Sequence, residues 1–245
     1  EGRYHAQPGG LGLLPDTMHA AVLYGKEDVR MEEVPVPRPD AGELLVRVDA
    51  ALTCGTDLKV FRRGYHARMI QPPAVFGHEF AGTVVAVGPE AQFSEGDRIV
   101  SANSAPCGTC FFCRRGELSI CEDLLFVNGA YAQYILIPAR IARTNCHRIP
   151  DALPAAHAAL SEPLACAVKG IEDVGVRAGE TVAVMGAGPL GLMHVCLAAM
   201  RGAFVIAIDK RSDRLELARK LGAQAVVQPD DSDAWVGEVR ALSNG

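Results

Sequence analysis

No apolar run in this 245-residue chain approaches the ~18 residues that a membrane-spanning helix needs. A membrane is therefore not expected among its partners. No cluster of lysine and arginine stands out either, and 24 basic against 29 acidic residues leave a net charge of -5. That balance does not suit a nucleic-acid surface, so no nucleic acid is expected. Nothing at the start reads as a secretory signal. The 49% hydrophobic content is ordinary for a globular protein of one or two domains. Eight cysteines are present, and four of them fall within 15 residues. In a chain of this length the clustering points to metal sites in a reduced, cytoplasmic protein rather than to disulfides.

The stretch Phe76-Gly77-His78-Glu79-Phe80 sets a histidine beside a glutamate in apolar surroundings. Such groups are costly to bury without partners. A hydrogen-bonded core histidine is one reading. Cys54 upstream, in Cys54-Gly55-Thr56-Asp57, and Glu162 downstream, in Ser161-Glu162-Pro163, favour another. Thiolate, imidazole and carboxylate make three protein ligands for zinc and leave a fourth position open, as in a catalytic site. Glu79 and Glu162 compete for the carboxylate place. Adjacent residues on a regular strand point to opposite faces, so His78 and Glu79 share one metal only if the backbone is irregular there. Gly77 permits that.

Cys107, Cys110, Cys113 and Cys121 follow the spacing Cys-x2-Cys-x2-Cys-x7-Cys. Four thiolates on one tight loop close a tetrahedron around zinc with no open position, so the site is expected to be structural. An iron–sulfur cluster is the main rival for such spacing. Cys146, Cys166 and Cys196 read as small buried hydrophobes, and His157 and His194 as packing residues on apolar helices.

Residues 1–17 show no clean periodicity and read as an extension or tag. From 18 to about 150 the chain is mainly β, with strands expected over 20–24, 44–48, 82–88, 97–100 and 131–138. A helix is expected over 155–174, carrying Glu162 at a break before Pro163. Residues 180–185 then read as a buried strand. It runs into Gly186-Ala187-Gly188-Pro189-Leu190-Gly191, a helix over about 190–200, and a second strand, 204–208, that ends at Asp209. That context turns a weak glycine motif into a strong dinucleotide fingerprint. The glycines allow a tight turn and close approach to a pyrophosphate at the helix N-terminus. Asp209 is placed to accept hydrogen bonds from ribose hydroxyls and to repel a 2′-phosphate, which favours NAD. A helix over 215–221 capped by Gly222, a strand at 225–227 and a last helix over 230–243 complete the reading.

Cys54-Gly55-Thr56-Asp57, Gly77-His78-Glu79 and the four-cysteine run together resemble the zinc-dependent medium-chain dehydrogenases, in particular the polyol (sorbitol-type) and threonine dehydrogenase branch. The resemblance covers residue 18 to the end. It implies an α/β plus β fold: a GroES-like, partly open β-barrel catalytic domain over 18–178, then a partial Rossmann dinucleotide-binding domain over 179–245. Only the first βαβαβ half is expected there, leaving a parallel edge and an apolar face uncovered, as in a fragment.

Two zinc ions per chain are implied. One is catalytic, at Cys54, His78, Glu79 and Glu162; one is structural, at Cys107, Cys110, Cys113 and Cys121. NAD is implied at Gly186, Gly188, Pro189, Leu190, Gly191, Asp209 and Arg214, the last near the adenosine end, although an exposed arginine at a helix start is an equal reading. Thr56 would relay the substrate proton, the alternative being a hydroxyl satisfied by its own turn. Lys59 departs from the histidine often found at that position, and a lysine at its normal pKa is a poor relay near neutral pH.

The implied activity is hydride transfer from a secondary alcohol, polyol or sugar-like, to NAD. L-Threonine or a simple alcohol is the runner-up substrate, and a non-catalytic zinc- or nucleotide-binding fragment the rival from another class. A full-length chain would be a homo-oligomer, a dimer or tetramer.

Overall fold

The computed structural model describes residues 14–244. The 1–17 extension therefore lies mostly outside the described residues, and Thr17 already opens the first strand. The chain divides into two compact units after Glu162.

The first unit is strand-rich. β1 (Thr17–Gly25) and β2 (Asp28–Pro35) form a hairpin, followed by β3 (Leu44–Leu52), helix α1 (Gly55–Arg63), β4 (Ala74–Val75), β5 (Glu79–Val87), β6 (Arg98–Ser101) and β7 (Ser104–Ala105). Then come β8 (Leu125–Phe126), β9 (Tyr134–Ile137), α2 (Ala139–Asn145), β10 (Cys146–Arg148) and the single turn α3 (Ala155–Ala158). A five-stranded antiparallel sheet runs β10-β6-β5-β3-β9, and a three-stranded one β2-β1-β4. Ala20 bridges to Ala132, and the Ala21 amide donates to the Tyr131 carbonyl, which ties the two sheets into a partly closed barrel. The core is filled by Leu44, Val46, Phe80, Val84, Ile99, Ile135, Ile137 and Ile141. These branched and aromatic side chains suit a pleated, half-buried surface. Arg98 donates to the carbonyls of Pro150, Asp151 and Leu153, fixing the path from β10 to α3.

Helix α4 (Ser161–Val174) begins in the first unit and continues into the second. The expected continuous helix over 155–174 is thus two helices, α3 and α4. The expected change of domain at 178/179 differs from the observed division, because Ile171 on α4 and Val176 after it pack in the second unit's core.

That second unit alternates β11 (Thr181–Met185), α5 (Pro189–Met200), β12 (Phe204–Ile208), α6 (Ser212–Lys220), β13 (Ala225–Val227) and α7 (Ala234–Ser243). The strands form a parallel sheet in the order β11-β12-β13. One face packs on residues of α5 and α6, including Val195, Ala198, Leu215 and Ala218. Trp235, Val239 and Leu242 of α7 pack against Ile206, Ile208 and Val227 on the other. β12 is consequently almost wholly buried, as a central parallel strand should be. β11 is the edge: it has no strand partner on its far side among the described residues, and Met185 is 74% exposed. No helix among the described residues is long and apolar enough to cross a membrane.

Candidate active site and metal centres

α1 positions the first cluster. Cys54 is its N-cap, in extended conformation, and Asp57 is its third residue. The Cys54 amide donates to Asp57 Oδ2 (2.9 Å) and the Thr56 amide to Cys54 Sγ (3.4 Å), a reciprocal capping box built with a thiol. Opposite, Gly77 takes φ +86°, a conformation that favours glycine, and a Cβ there would sit 2.5 Å from the Tyr131 ring. His78 follows this turn and precedes β5, which starts at Glu79. The irregular backbone lets neighbouring residues serve one site: ligand atoms of Cys54, His78 and Glu79 all lie within 4.8 Å of one another.

Asp57 and His78 are 2% and 3% exposed, with Asp57 Oδ1 3.0 Å from His78 Nδ1. Both atoms are deeply buried and have no other polar partner, so each must satisfy the other. Tyr131 donates its hydroxyl to Asp57 Oδ2 (2.7 Å), and the Tyr131 hydroxyl oxygen also lies 2.9 Å from the Leu52 carbonyl. The carboxylate thus fixes His78 through Nδ1 and leaves Nε2 for a metal, the usual way a ligating imidazole is oriented.

Burial pushes the Cys54 thiol up, more than the Thr56 amide lowers it. Burial also acts on Asp57, but the hydrogen bond and charge of His78 win and hold its carboxyl below the ordinary range. His78 is held above its ordinary value: burial opposes the charged form, and Asp57, Glu162 and Glu79 outweigh it. Glu162, in the first turn of α4, is pushed up by burial and by the Glu79 charge, against the opposing pull of His78. It stands next to the three-residue group without entering it. Three acidic side chains and a thiol around one histidine is a donor set that a divalent cation would balance.

The four-cysteine loop is the second cluster. Cys107 Sγ lies 3.9 Å from Cys113 Sγ, and Cys110 Sγ 3.9 Å from Cys121 Sγ. A tetrahedron with Zn–S bonds of about 2.3 Å has edges of about 3.8 Å. The sulfurs are therefore spaced for a shared ion and far beyond disulfide bonding. Amides turn inward to receive thiolate charge: Thr109 and Cys110 donate to Cys107 Sγ, Cys113 to Cys110 Sγ, and Cys107 to Cys121 Sγ. The Thr109 and Cys110 donors lower Cys107 to about 6, whereas burial and the neighbouring sulfurs lift Cys113 to about 12. Arg68 donates to the Cys121 carbonyl and joins the loop to the barrel.

The glycine loop follows β11. Gly186 has φ +95°, and a Cβ at Gly186 or Gly188 would meet nothing within 4 Å. A Cβ at Gly191 would lie 1.7 Å from the Gly186 carbonyl oxygen, so glycine is required for α5 to approach the turn. Pro189 is the first residue of α5, where its missing N–H costs nothing. Leu190, half exposed, follows it. Asp209 Oδ2 accepts from the Ala187 amide (2.7 Å) and Oδ1 from the Arg211 amide (2.8 Å), so it braces the turn from the end of β12. Burial raises its carboxyl, but these amides and Arg214, 3.6 Å away, bring it below the ordinary range. Gly186, Asp209, Lys210, Asp230 and Trp235 line a cavity of about 440 Å³ in front of the turn.

A model of the alcohol dehydrogenase GroES-like domain matches residues 40–151, and one of the zinc-binding dehydrogenase domain matches residues 189–245. The alcohol dehydrogenase TADH from Thermus sp. ATN1 is 34% identical, with a TM-score of 0.81 over 93% of this chain and 67% of that one. The chain belongs to the medium-chain, zinc-binding dehydrogenase family. L-threonine 3-dehydrogenase of Pyrococcus abyssi is 38% identical over 93% of this chain and 65% of its own length. Erythritol/L-threitol dehydrogenase of Mycolicibacterium smegmatis is 36% identical over 90% and 65%. The chain spans just under two thirds of the length of these curated relatives.

Two residues that brace this cluster went unassigned in the sequence, Asp57 and Tyr131. The Cys54-x-x-Asp57 spacing is a capping-box signal that could have found the first; Tyr131 carries no local signal. His66 Nδ1 accepts the Arg68 and Met69 amides and belongs to a local turn. Cys146 is buried as expected, but Cys166 and His157 are exposed rather than packed. His194 is half-buried; its Nδ1 lies 3.0 Å from the Leu190 carbonyl and its ring fills the space beside Gly170.

Proposed function

We propose that this chain is the catalytic and first nucleotide-binding portion of an NAD-dependent zinc dehydrogenase that oxidises the secondary alcohol of a polyol or sugar-like substrate. The observation that carries the reading is the meeting of Cys54, His78 and Glu79 within 4.8 Å, with the Thr56 amide on the Cys54 thiol. Those three residues, with Glu162 alongside, would hold the catalytic zinc, and Cys107, Cys110, Cys113 and Cys121 a structural one.

Zinc supplies a Lewis acid that lowers the pKa of a hydroxyl, and NAD a hydride acceptor. The chain's own residues do the rest. Asp57 and Tyr131 hold His78 in one orientation and tautomer. Thr56 would relay the proton leaving the alcohol, accepting it as its own hydroxyl proton passes on toward solvent. Burial of His78, Glu79 and Asp57 keeps water from the carboxylate side. Gly186, Gly188, Pro189, Leu190 and Gly191 would receive the NAD pyrophosphate at the N-terminus of α5. Asp209 would meet the adenosine ribose, with Arg214 beside it.

The family names among the relatives support polyol and L-threonine as the substrate classes to compare. The reducing cytoplasm suits eight cysteines, none of them in a disulfide. The test is catalytic efficiency over sorbitol, xylitol, inositol, threonine and propan-2-ol with NAD and with NADP. Polyol turnover with NAD, abolished in Cys54→Ser, is expected; normal turnover in that variant would refute the reading.

A further inference from the structure

One face of α1 carries Thr56, Lys59 and Arg63. With Val60, Tyr65 and His66 they line a cavity of about 200 Å³. Three of these six side chains are lysine, arginine or histidine, and none is acidic. Among the described residues, neither Lys59 nor Arg63 has an ionic or hydrogen-bonding partner. The two are four residues apart on a helix, where like charges repel. His66 Nδ1 already accepts two amides, so in the neutral ring the proton is on Nε2 and the side chain offers a donor. Tyr65 and Thr56 add hydroxyls. A cavity with two unpaired cations and three further donors is built for an anion.

Its position gives the anion a context. Thr56 is shared: it lines the cavity, and its amide donates to the Cys54 thiol (3.4 Å). At about 1.5 Å per residue, Lys59 lies about 4.5 Å and Arg63 about 10 Å further along the helix than Thr56. Cys54 to Lys59 is about 7.5 Å along the helix, the reach of a short chain of a few carbons with a charged end, and the long Arg63 side chain, one turn further on, leans back toward the helix N-terminus. We propose that this cavity binds the phosphate of a phosphorylated polyol, with Lys59 and Arg63 selecting a phosphate monoester over the neutral alcohol. The inference rests on the dehydrogenase reading for the fate of the hydroxyl end, and on the cavity alone for the phosphate end.

The experiment titrates the zinc-loaded chain with glycerol phosphate, erythritol phosphate, inorganic phosphate, a hydroxy acid of equal length and NAD, read by calorimetry. Lys59→Ala/Arg63→Ala is compared with wild type and with Arg62→Ala, each checked for an unchanged zinc content. The polyol phosphates are expected to bind the wild type, to bind the Arg62→Ala variant equally, and to weaken at least ten-fold in the double variant. Equal binding by the double variant, or no binding by the wild type, would overturn the proposal. So would stronger binding of the hydroxy acid, or a matching loss of NAD affinity, which would assign the cavity to a carboxylate or to the cofactor. Turnover separates the two readings: neutral polyols oxidised equally by wild type and double variant would leave the dehydrogenase standing without the phosphate site. Phosphate binding lost in the double variant, with no alcohol oxidised by either protein, would leave the site standing alone.

Discussion

Asp57 bears on the metal site more than its place in the sequence suggests. It accepts from the Cys54 amide and the Tyr131 hydroxyl and faces His78 Nδ1 at 3.0 Å, all while 2% exposed. Removing its charge should leave His78 free to turn. Asp57→Asn is expected to weaken zinc at Cys54, His78 and Glu79 by 10–100-fold, a typical cost for such a partner, while the four-cysteine site keeps its ion. Competition with a graded series of chelators would show two zinc affinities separating in the variant; unchanged affinities would deny Asp57 this role. Gly77→Ala should be harsher, because a side chain there meets both a left-handed backbone and the Tyr131 ring. Residue types and spacing made Cys54, His78, Glu79 and the four cysteines legible in the sequence. Of Asp57 only the capping-box spacing was legible; its contact with His78, 21 residues away, and that of Tyr131 with Asp57, 74 residues away, are encoded by no local pattern.

Among the elements, β11, β12 and β13 fell close to where their apolar runs placed them, and α5 where the glycine motif opened it. α1 was missed: it is amphipathic with few apolar residues, and its start is marked by a cysteine cap rather than a serine or aspartate. Short strands such as β4, β7 and β8 owe their existence to tertiary pairing and leave no periodic trace. At this scale Gly191→Ala is decisive for the nucleotide turn. Its Cβ would overlap the Gly186 carbonyl, so α5 must move away, and NAD affinity is expected to fall at least ten-fold without loss of zinc. Equilibrium NAD binding checks this.

β10 and β6 are tied by Arg148, which donates to Asp97 Oδ2 through Nε (3.0 Å) and Nη2 (2.7 Å) and rests on the Phe93 ring. Arg148, aided by the Ser94 amide, holds the Asp97 carboxyl below its ordinary value. A depressed carboxyl stabilises the fold above its unfolded pKa and loses that contribution as pH falls through the folded one. Asp97→Asn should therefore unfold more easily than wild type at pH 7, with the gap closing as pH drops below about 4. Thermal midpoints across that range would show it, and a gap independent of pH would contradict it.

For the molecule as a whole, two units share one chain but differ in how they are held. The barrel has a core of branched side chains plus two metal-ready clusters. The nucleotide unit is a three-stranded parallel sheet whose edge strand, β11, leaves Met185 largely exposed. The Glu162–Pro163 step read as a break within a helix rather than as a domain boundary, and α4 runs unbroken across the division there. Structural zinc contributes ~10–16 kcal/mol of apparent binding energy in small domains. Cys107→Ser is accordingly expected to lose one zinc and to loosen the loop over 107–121, seen as faster hydrogen exchange there and little change in the nucleotide unit.

The most direct test of the account is zinc per chain, measured by elemental analysis after dialysis against a mild chelator, on wild type, Cys54→Ser and Cys107→Ser. Two ions are expected in the wild type and one in each variant, because the clusters share no ligand. One ion in the wild type, lost from Cys107→Ser but kept in Cys54→Ser, would contradict the catalytic metal site and with it the proposed dehydrogenase chemistry.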